Sequence, residues 1–265
     1  MKKICHILAL QLITTTTFCP LSAETLPQLQ QFSNQFSLGL EGFHYNYRES
    51  RLMKTKGFLY GVNAAYNYTF NNGFFFQPDV RFDYGHTNYK SNGTGSMKKE
   101  PNWLVETRII FGKRFKLTST TELDPYVGFG YRYKADDTDG KKTTTGHLGY
   151  YRRSQYLYIP LGLTLHQQIN CDWSLSPTAE FDWFLRGRQR SDLHKTINNT
   201  QKKGYGLKGD LMLTRKFSKS SLSFGPFINY WNIKNSNIVR VSPTMGLVEP
   251  HNKTIEAGLK VKYTF

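Results

Sequence analysis

The sequence predicts an all-β fold, a transmembrane antiparallel up-and-down β-barrel of about ten strands. Apolar and polar residues alternate along one segment after another, which is typical of strands with two unlike faces. The connections between these segments are alternately short and long. Aromatic residues make up 15% of the chain and cluster near the segment ends. A soluble β-sandwich also alternates, but the last two features are typical of membrane barrels.

The N-terminal residues have the layout of a secretory signal. Lys2 and Lys3 precede a short, mostly apolar run over 4–13, and Leu21-Ser22-Ala23 then offers small residues for cleavage. The predicted organisation is a signal peptide (1–23), a periplasmic lead-in (24–34) and a barrel (35–265).

Cysteine usage agrees with export. Cys5 and Cys19 fall in the predicted signal, which leaves Cys171 alone, so neither an internal disulfide nor a cysteine-based metal site is expected. A lipoprotein cut at Cys19 is disfavoured because Thr17 and Phe18 are a poor approach to a modified cysteine.

The chain is strongly basic, with 35 Lys and Arg against 19 Asp and Glu and a formal net charge of +16. In a cytosolic protein this excess would suggest nucleic acid. Behind an export signal it favours an acidic surface or a phosphate-bearing lipid, and no nucleic-acid partner is expected. The mean hydropathy is −0.53. No segment after the signal approaches the ~20 apolar residues of a helical span.

Each predicted strand follows from its alternation. The plainest places Phe74, Phe76, Val80 and Phe82 on one face, with Arg81 and its polar neighbours on the other. The ten predicted strands are 35–47, 57–70, 74–86, 102–115, 123–135, 153–168, 173–187, 204–217, 221–233 and 253–265.

The connections predict the orientation of the barrel. The turns 71–73, 169–172 and 218–220 are short, whereas 87–101, 136–152, 188–203 and 234–252 are long and polar. Because outer-membrane barrels have short periplasmic turns and long extracellular loops, an even strand number places both termini in the periplasm.

The polar faces predict a crowded lumen, because ten strands enclose little more than the space that side chains fill. Either these charges line a small selective pore, or they form a salt-bridged plug that satisfies buried groups. Large side chains such as Tyr126, Tyr158 and Trp231 add bulk, and Arg186 is also expected to face inward. The predicted lining is Asp79, Arg81, Asp83, Glu106, Arg108, Arg132, Glu180, Asp182, Lys208 and Asp210.

The predicted outer loops are basic, and clustered cations there suit the phosphate groups of lipopolysaccharide. The alternative is ordinary solvated loop charge. The candidate contacts with lipopolysaccharide or another anion are Arg152, Arg153, Arg188, Arg190, Lys202 and Lys203.

The last residues, Val261 to Phe265, alternate and end on Phe. They resemble the C-terminal signature of small porin-like bacterial outer-membrane barrels. That resemblance implies an outer-membrane location, contact with outer-membrane lipid, and recognition by the barrel-insertion machinery during assembly.

A partial resemblance to the omptin proteases lies in Asp192-Leu193-His194, which is similar to their Asp-x-His element. Their opposing Asp pair has no counterpart, because Glu100 is the only acid within 86–102. There is no Gly-x-Ser-x-Gly elbow, and 136–140 lacks the Glu of a calcium loop. No catalytic, metal or cofactor-binding residue is therefore predicted. The expected function is that of a small non-enzymatic, porin-like envelope protein. An omptin-like hydrolase and a surface adhesin with an unidentified host ligand are the alternatives.

Overall fold

A computed structural model describes residues 34–193 and 195–265 of the chain. The predicted signal peptide, the predicted lead-in up to residue 33, and His194 lie outside the described residues. No helix in the described part of the chain is long and apolar enough to cross a membrane.

Ten long strands close an antiparallel barrel, as the sequence predicts, and four short strands accompany them. In chain order the strands are β1 (Asn34–Glu49), β2 (Met53–Thr69), β3 (Phe74–Ser91), β4 (Gly95–Lys113), β5 (Phe115–Lys116), β6 (Thr121–Asp137), β7 (Tyr151–Gln168), β8 (Trp173–Asp192), β9 (Thr196–Gln201), β10 (Gly204–Lys216), β11 (Ser221–Ile233), β12 (Val239–Arg240), β13 (Gly246–Leu247) and β14 (Asn252–Thr264).

The long strands follow one another around the wall in chain order. The first strand pairs with the last, from Ser37 opposite Thr264 to Glu49 opposite Asn252. The pairing of β8 with β10 completes the ring. Both ends of the described barrel lie with the short turns, at the periplasmic end.

The outer ends of the strands differ from the prediction. The segment 87–101, predicted as a loop, is mostly a paired hairpin in which Ser91 lies opposite Gly95. Likewise 188–203 is largely strand, because β8 continues to Asp192 and pairs with β9. Beyond the membrane the outward side chains also become polar, as at His86 and Lys90, so alternation disappears while backbone pairing continues. The stretches 138–150 and 234–251 remain largely irregular.

The outward face carries the apolar belt that a membrane barrel needs. Phe129 (61% exposed), Trp183 (58%) and Phe58 (57%) project from the wall. Trp103 stacks on Tyr133 at the upper margin of the belt, with 4.8 Å between ring centroids. Phe36 and the terminal Phe265 stack at the lower margin, at 6.1 Å. These aromatic girdles mark the two interfaces of the membrane.

One bulge changes which residues face the lumen. The register of β7 with β8 shifts between Leu157 and Tyr158. Past the bulge Gly187 is buried and Arg186 is exposed. The expectation that Arg186 faces inward is therefore wrong, because one extra residue in a strand reverses the alternation that follows it.

Candidate functional site in the barrel lumen

The centre of the lumen is crossed by ion pairs, and Arg81 is the first hub. Its guanidinium donates from Nη1 to Glu41 Oε1 at 3.0 Å, from Nε to Glu106 Oε2 at 2.8 Å and from Nη2 to Glu256 Oε2 at 2.8 Å. These three carboxylates come from β1, β4 and β14, so one side chain ties together distant parts of the wall. Arg132 on β6 also donates to Glu256, and its Nη1 lies 3.6 Å from Glu106 Oε2.

A second group of ion pairs continues the layer around the wall. Lys208 Nζ lies 2.9 Å from Glu106 Oε1 and 3.2 Å from Glu180 Oε1. Arg108 donates to Asp79 and Glu180, each at 2.9 Å. The side chains of Glu106 and Glu180 are only 4% and 2% exposed. We call the Arg81, Arg132, Arg108 and Lys208 pairs together the central ion-pair layer.

Large apolar and aromatic side chains pack beside this layer. One cluster contains Phe43, Tyr45, Tyr47, Leu59 and Phe227, and the other contains Tyr156, Tyr158, Phe184, Trp231 and Ile233. Trp231 and Tyr158 are fully buried. The Arg132 guanidinium lies 5.8 Å from the Trp231 ring, a distance typical of a cation–π contact. Lys208 Nζ lies 5.8 Å from the same ring, so the second cluster contacts the ion-pair layer.

Inward glycines make room for these rings. Gly130 on β6 lies opposite Tyr158 on β7, and a Cβ atom at Gly130 would overlap the Tyr158 ring. Gly162 stands in the same relation to Tyr126 across the same strand pair. The small residues therefore allow aromatic rings to lie flat across neighbouring strands.

All ten residues predicted to line the lumen lie on the inward faces of their strands. Most of them belong to the central ion-pair layer. Asp83 and Asp182 lie beside it, 3.8 Å from Arg81 and 3.4 Å from Lys208, and their carboxylates accept no hydrogen bond from the described residues. Asp210 lies nearer the periplasm, 3.8 Å from Lys260 Nζ.

The sequence analysis missed two acids that complete this arrangement. Glu41 pairs with Arg81, and Glu49 pairs with Arg152. Both alternate with outward residues of β1, such as Leu40, so their inward direction was readable from the pattern.

The candidate lipopolysaccharide contacts occupy different environments. Arg152 lies inside the barrel wall, where it donates to Glu49 (2.6 Å), Tyr47 (2.5 Å) and Glu249. Its side chain is 9% exposed, so it does not face the outer surface as the sequence analysis expected; its position on β7 alternates with the outward Arg153. Arg153 pairs with Asp192, and the other four candidates, Arg188, Arg190, Lys202 and Lys203, lie at the outer end of β8 and between β9 and β10.

Burial changes the acidity of groups outside the membrane. Burial raises the pKa of Glu249, Arg152 opposes that effect, and Glu49 reinforces it. Glu100 lies on β4, three residues above the girdle residue Trp103. Burial first, and then the Asp136 carboxylate, raise its pKa from 4.5 to about 8.

Asp192, the first residue of the Asp192-Leu193-His194 element, is the last residue of β8. Asp192 Oδ1 accepts hydrogen bonds from Arg190 Nε at 3.1 Å and from Thr196 Oγ1 at 3.0 Å, and Oδ2 accepts one from Arg153. The Asp192 carboxylate is thus held by two arginines and a threonine.

Asn102, two residues from Glu100, donates to Thr87 Oγ1 at 2.7 Å. Within 34–193 and 195–265 no group of three or more His, Cys, Asp or Glu residues is placed to hold a metal ion.

Comparison with known proteins supports the fold. No protein-family model matches the sequence, and no curated protein matches it either. Among solved structures, the outer membrane protease OmpT from Escherichia coli superposes with a TM-score of 0.62 at 14% identity, covering 92% of this chain and 100% of that one. The translocator domain of the autotransporter NalP from Neisseria meningitidis gives 0.48 at 7% identity, covering 89% of each chain. Ail, the attachment invasion locus protein of Yersinia pestis, gives 0.36 at 10% identity, covering 88% of this chain and 100% of that one.

The similarity to OmpT, at this low identity, is one of fold. The closed ten-stranded barrel, its outward apolar belt and its aromatic girdles identify the chain as a bacterial outer-membrane β-barrel protein.

Proposed function

We propose that this protein is a porin-like but non-conducting and non-enzymatic barrel that acts at the cell surface through its outer rim. The observation that carries the proposal is the central ion-pair layer. There Arg81 and Arg132 both reach Glu256 on β14 and share Glu106, which lies on the strand between them, and none of these four side chains is more than 12% exposed.

Such a layer resists opening. Removing one partner from a buried ion pair costs about 3–5 kcal/mol, and the charges here share several partners each. The aromatic clusters reinforce closure because Trp231 and Tyr158 are fully buried, so no solvent reaches these side chains where they pack. Wide aqueous channels are typical of barrels with roughly 16–18 strands, well above the ten found here.

The test is single-channel conductance of the chain purified from outer membranes, in planar bilayers over a range of salt. We expect a silent bilayer. The double variant Arg81→Ala, Trp231→Ala removes one polar and one aromatic obstruction, and its openings would show that the protein inserts. Steady openings by the unaltered protein, or passage of sugars of several hundred daltons, would contradict the proposal.

A hydrolase is the second candidate, favoured by Asp192-Leu193-His194 and by the fold shared with a protease. The surroundings of Asp192 weigh against it. A catalytic Asp has to orient its His and balance the charge that the His acquires, but this carboxylate already accepts from Arg153, Arg190 and Thr196. In addition, Glu100 is the only acid within 86–102, so no opposing Asp pair is present there to activate a water.

The hydrolase is tested with a library of fluorogenic peptides, with and without lipopolysaccharide. We expect no cleavage, and no difference between the unaltered protein and His194→Ala. Cleavage that His194→Ala abolishes would establish the hydrolase instead.

We also propose that lipopolysaccharide phosphate contacts the exposed cations of the outer rim. Arg188, Lys202 and Lys203 are exposed, and the Arg190 side chain is 42% exposed. Among the described residues Arg188 donates to the neutral Asn198, at 2.9 Å from Nη2, and to no carboxylate, so its charge is available to a phosphate. Lipopolysaccharide should raise the melting temperature of the double variant Arg188→Gln, Lys202→Gln by less than it raises that of the unaltered protein. The control Arg152→Gln, which changes a buried side chain, should keep the full increase. An equal reduction of this increase in both variants would refute this contact.

A further inference from the structure

Below the central ion-pair layer the lumen opens into a polar cavity of about 400 Å³. Its upper wall contains Arg81, Glu106 and Lys208. Its lower wall contains Ser221 and Thr264, which lie at the periplasmic ends of their strands. The cavity is therefore closed above by the ion pairs and faces the periplasm below.

Two cations of this wall differ from the others. Each Arg that lines the cavity, and also Lys208 and Lys260, has a carboxylate oxygen within 4.0 Å. Lys216 and Lys262 also line the cavity, but no carboxylate of the described residues lies within that distance of either ammonium group. Both lysines are partly buried, so their charges are only partly solvated.

Hydroxyl groups lie between these two lysines. On β11, Ser223 lies opposite Lys262 of β14 and, on its other side, opposite Thr214 of β10. Ser221 lies opposite Lys216 of β10. Because neighbouring strands are about 4.8 Å apart, β10 and β14 are separated by roughly 10 Å. The flexible four-carbon stems of two lysines can reach one ligand across that gap.

The carboxylates that act on these lysines, Glu122 on Lys216 and Asp210 and Asp79 on Lys262, lie beyond 4.0 Å and already pair with other cations. Asp124 accepts from Arg114 Nη2 at 2.6 Å and lies 3.1 Å from His166 Nε2. Glu122 lies 3.5 Å from Arg114 Nε. These acids are already paired, whereas the ammonium groups and hydroxyls on the β10–β14 side have hydrogen-bond donors to offer.

We propose that this wall binds a soluble multivalent oxyanion of the phosphate type, which enters from the periplasm. Lys216 and Lys262 neutralise the anion, and two hydroxyl groups donate to its oxygens: that of Ser221 and one of the mutually hydrogen-bonded Ser223–Thr214 pair, whose oxygens lie 2.9 Å apart. A membrane phospholipid is not the ligand, because these side chains face the lumen and not the apolar belt. The ion-pair layer above makes this a binding site and not a passage. The proposal goes beyond the proposed function and does not depend on the outer rim.

The experiment is isothermal titration of the full purified chain in detergent with inorganic phosphate, against chloride at equal ionic strength. We expect one saturable site, with sulfate competing. Lys216→Gln and Lys262→Gln should each weaken binding about ten-fold, because a hydrogen bond to a charged group is worth roughly that factor. The matched control is Lys219→Gln, which removes an exposed lysine of the same rim that does not line the cavity.

The outcomes separate clearly. Binding that both cavity variants weaken and Lys219→Gln retains supports the site, provided circular dichroism shows the same β content in all proteins. Absence of saturable phosphate binding by the unaltered chain overturns it. An equal loss in Lys219→Gln also overturns it, because binding would then follow overall charge. Conductance is not a readout here, so failure of this site leaves the proposed lumen closure as it stands.

Discussion

Glu256→Gln is the sharpest probe of the central ion-pair layer. The Glu256 side chain is fully buried and accepts hydrogen bonds from Arg81 Nη2 (2.8 Å), Asn229 Nδ2 (3.0 Å) and Arg132. The substitution keeps the shape of the side chain and removes its charge. Of the carboxylates in the described part of the chain, Arg132, whose side chain is 2% exposed, would then have Glu106 alone within 4.0 Å, at 3.6 Å.

The expected loss follows from this geometry. Removing one partner of a buried ion pair costs about 3–5 kcal/mol, because the other charge remains buried without compensation. The matched control is Lys260→Gln on the same strand. Its ammonium lies 3.8 Å from Asp210, and the two side chains are 26% and 25% exposed. A pair of that kind is worth at most about 1 kcal/mol.

The assay is urea unfolding of both variants in detergent micelles, followed by tryptophan fluorescence. We expect Glu256→Gln to lower the free energy of unfolding several times more than Lys260→Gln does. Equal and small losses would refute the reasoning, since the layer would then be solvated enough to tolerate an unpaired arginine.

Three further predictions concern other parts of the barrel. Gly130→Ala should lower the free energy of unfolding by about 1–3 kcal/mol, since the new methyl group displaces the Tyr158 ring; urea titration measures it. The raised pKa of Glu100 favours its protonated form in the folded state, so this contribution to stability is present below pH 4.5 and lost as the pH rises through about 8. Glu100→Gln should therefore raise the melting temperature at about pH 9 and leave it unchanged at about pH 4. Arg152→Gln frees Glu249, and limited proteolysis should then cut within 234–251 sooner than in the unaltered chain.

The strands within the membrane were predictable because the bilayer demands a strict difference between the two faces. Phe74 to Tyr84 therefore alternate visibly, and the predicted strand began at the correct residue. Above the bilayer both faces of a strand meet water, so the pattern has no reason to continue. The extensions of β3 and β8 were missed for that reason.

The same alternation predicted which charged side chains face the lumen, but it did not predict which of them form ion pairs with one another. Arg81 and Glu256 are 175 residues apart. Which carboxylate each arginine meets depends on stagger around the ring, which a single sequence does not encode locally. The predicted inward direction of Arg186 was wrong for a different reason, because one bulge shifts every later residue of its strand to the opposite face.

The height of the barrel wall has a practical consequence. Strands β6 and β7, which flank the tip 138–150, have 17 and 18 residues, whereas roughly 9–11 suffice to cross a bilayer. The surplus carries the irregular tip 138–150 clear of the lipid, and Gly140 at this tip has a φ of +72° with open space where a side chain would begin. A foreign peptide inserted at Gly140 would thus be lifted above the membrane and exposed to antibodies on intact cells, which makes the chain a scaffold for surface display.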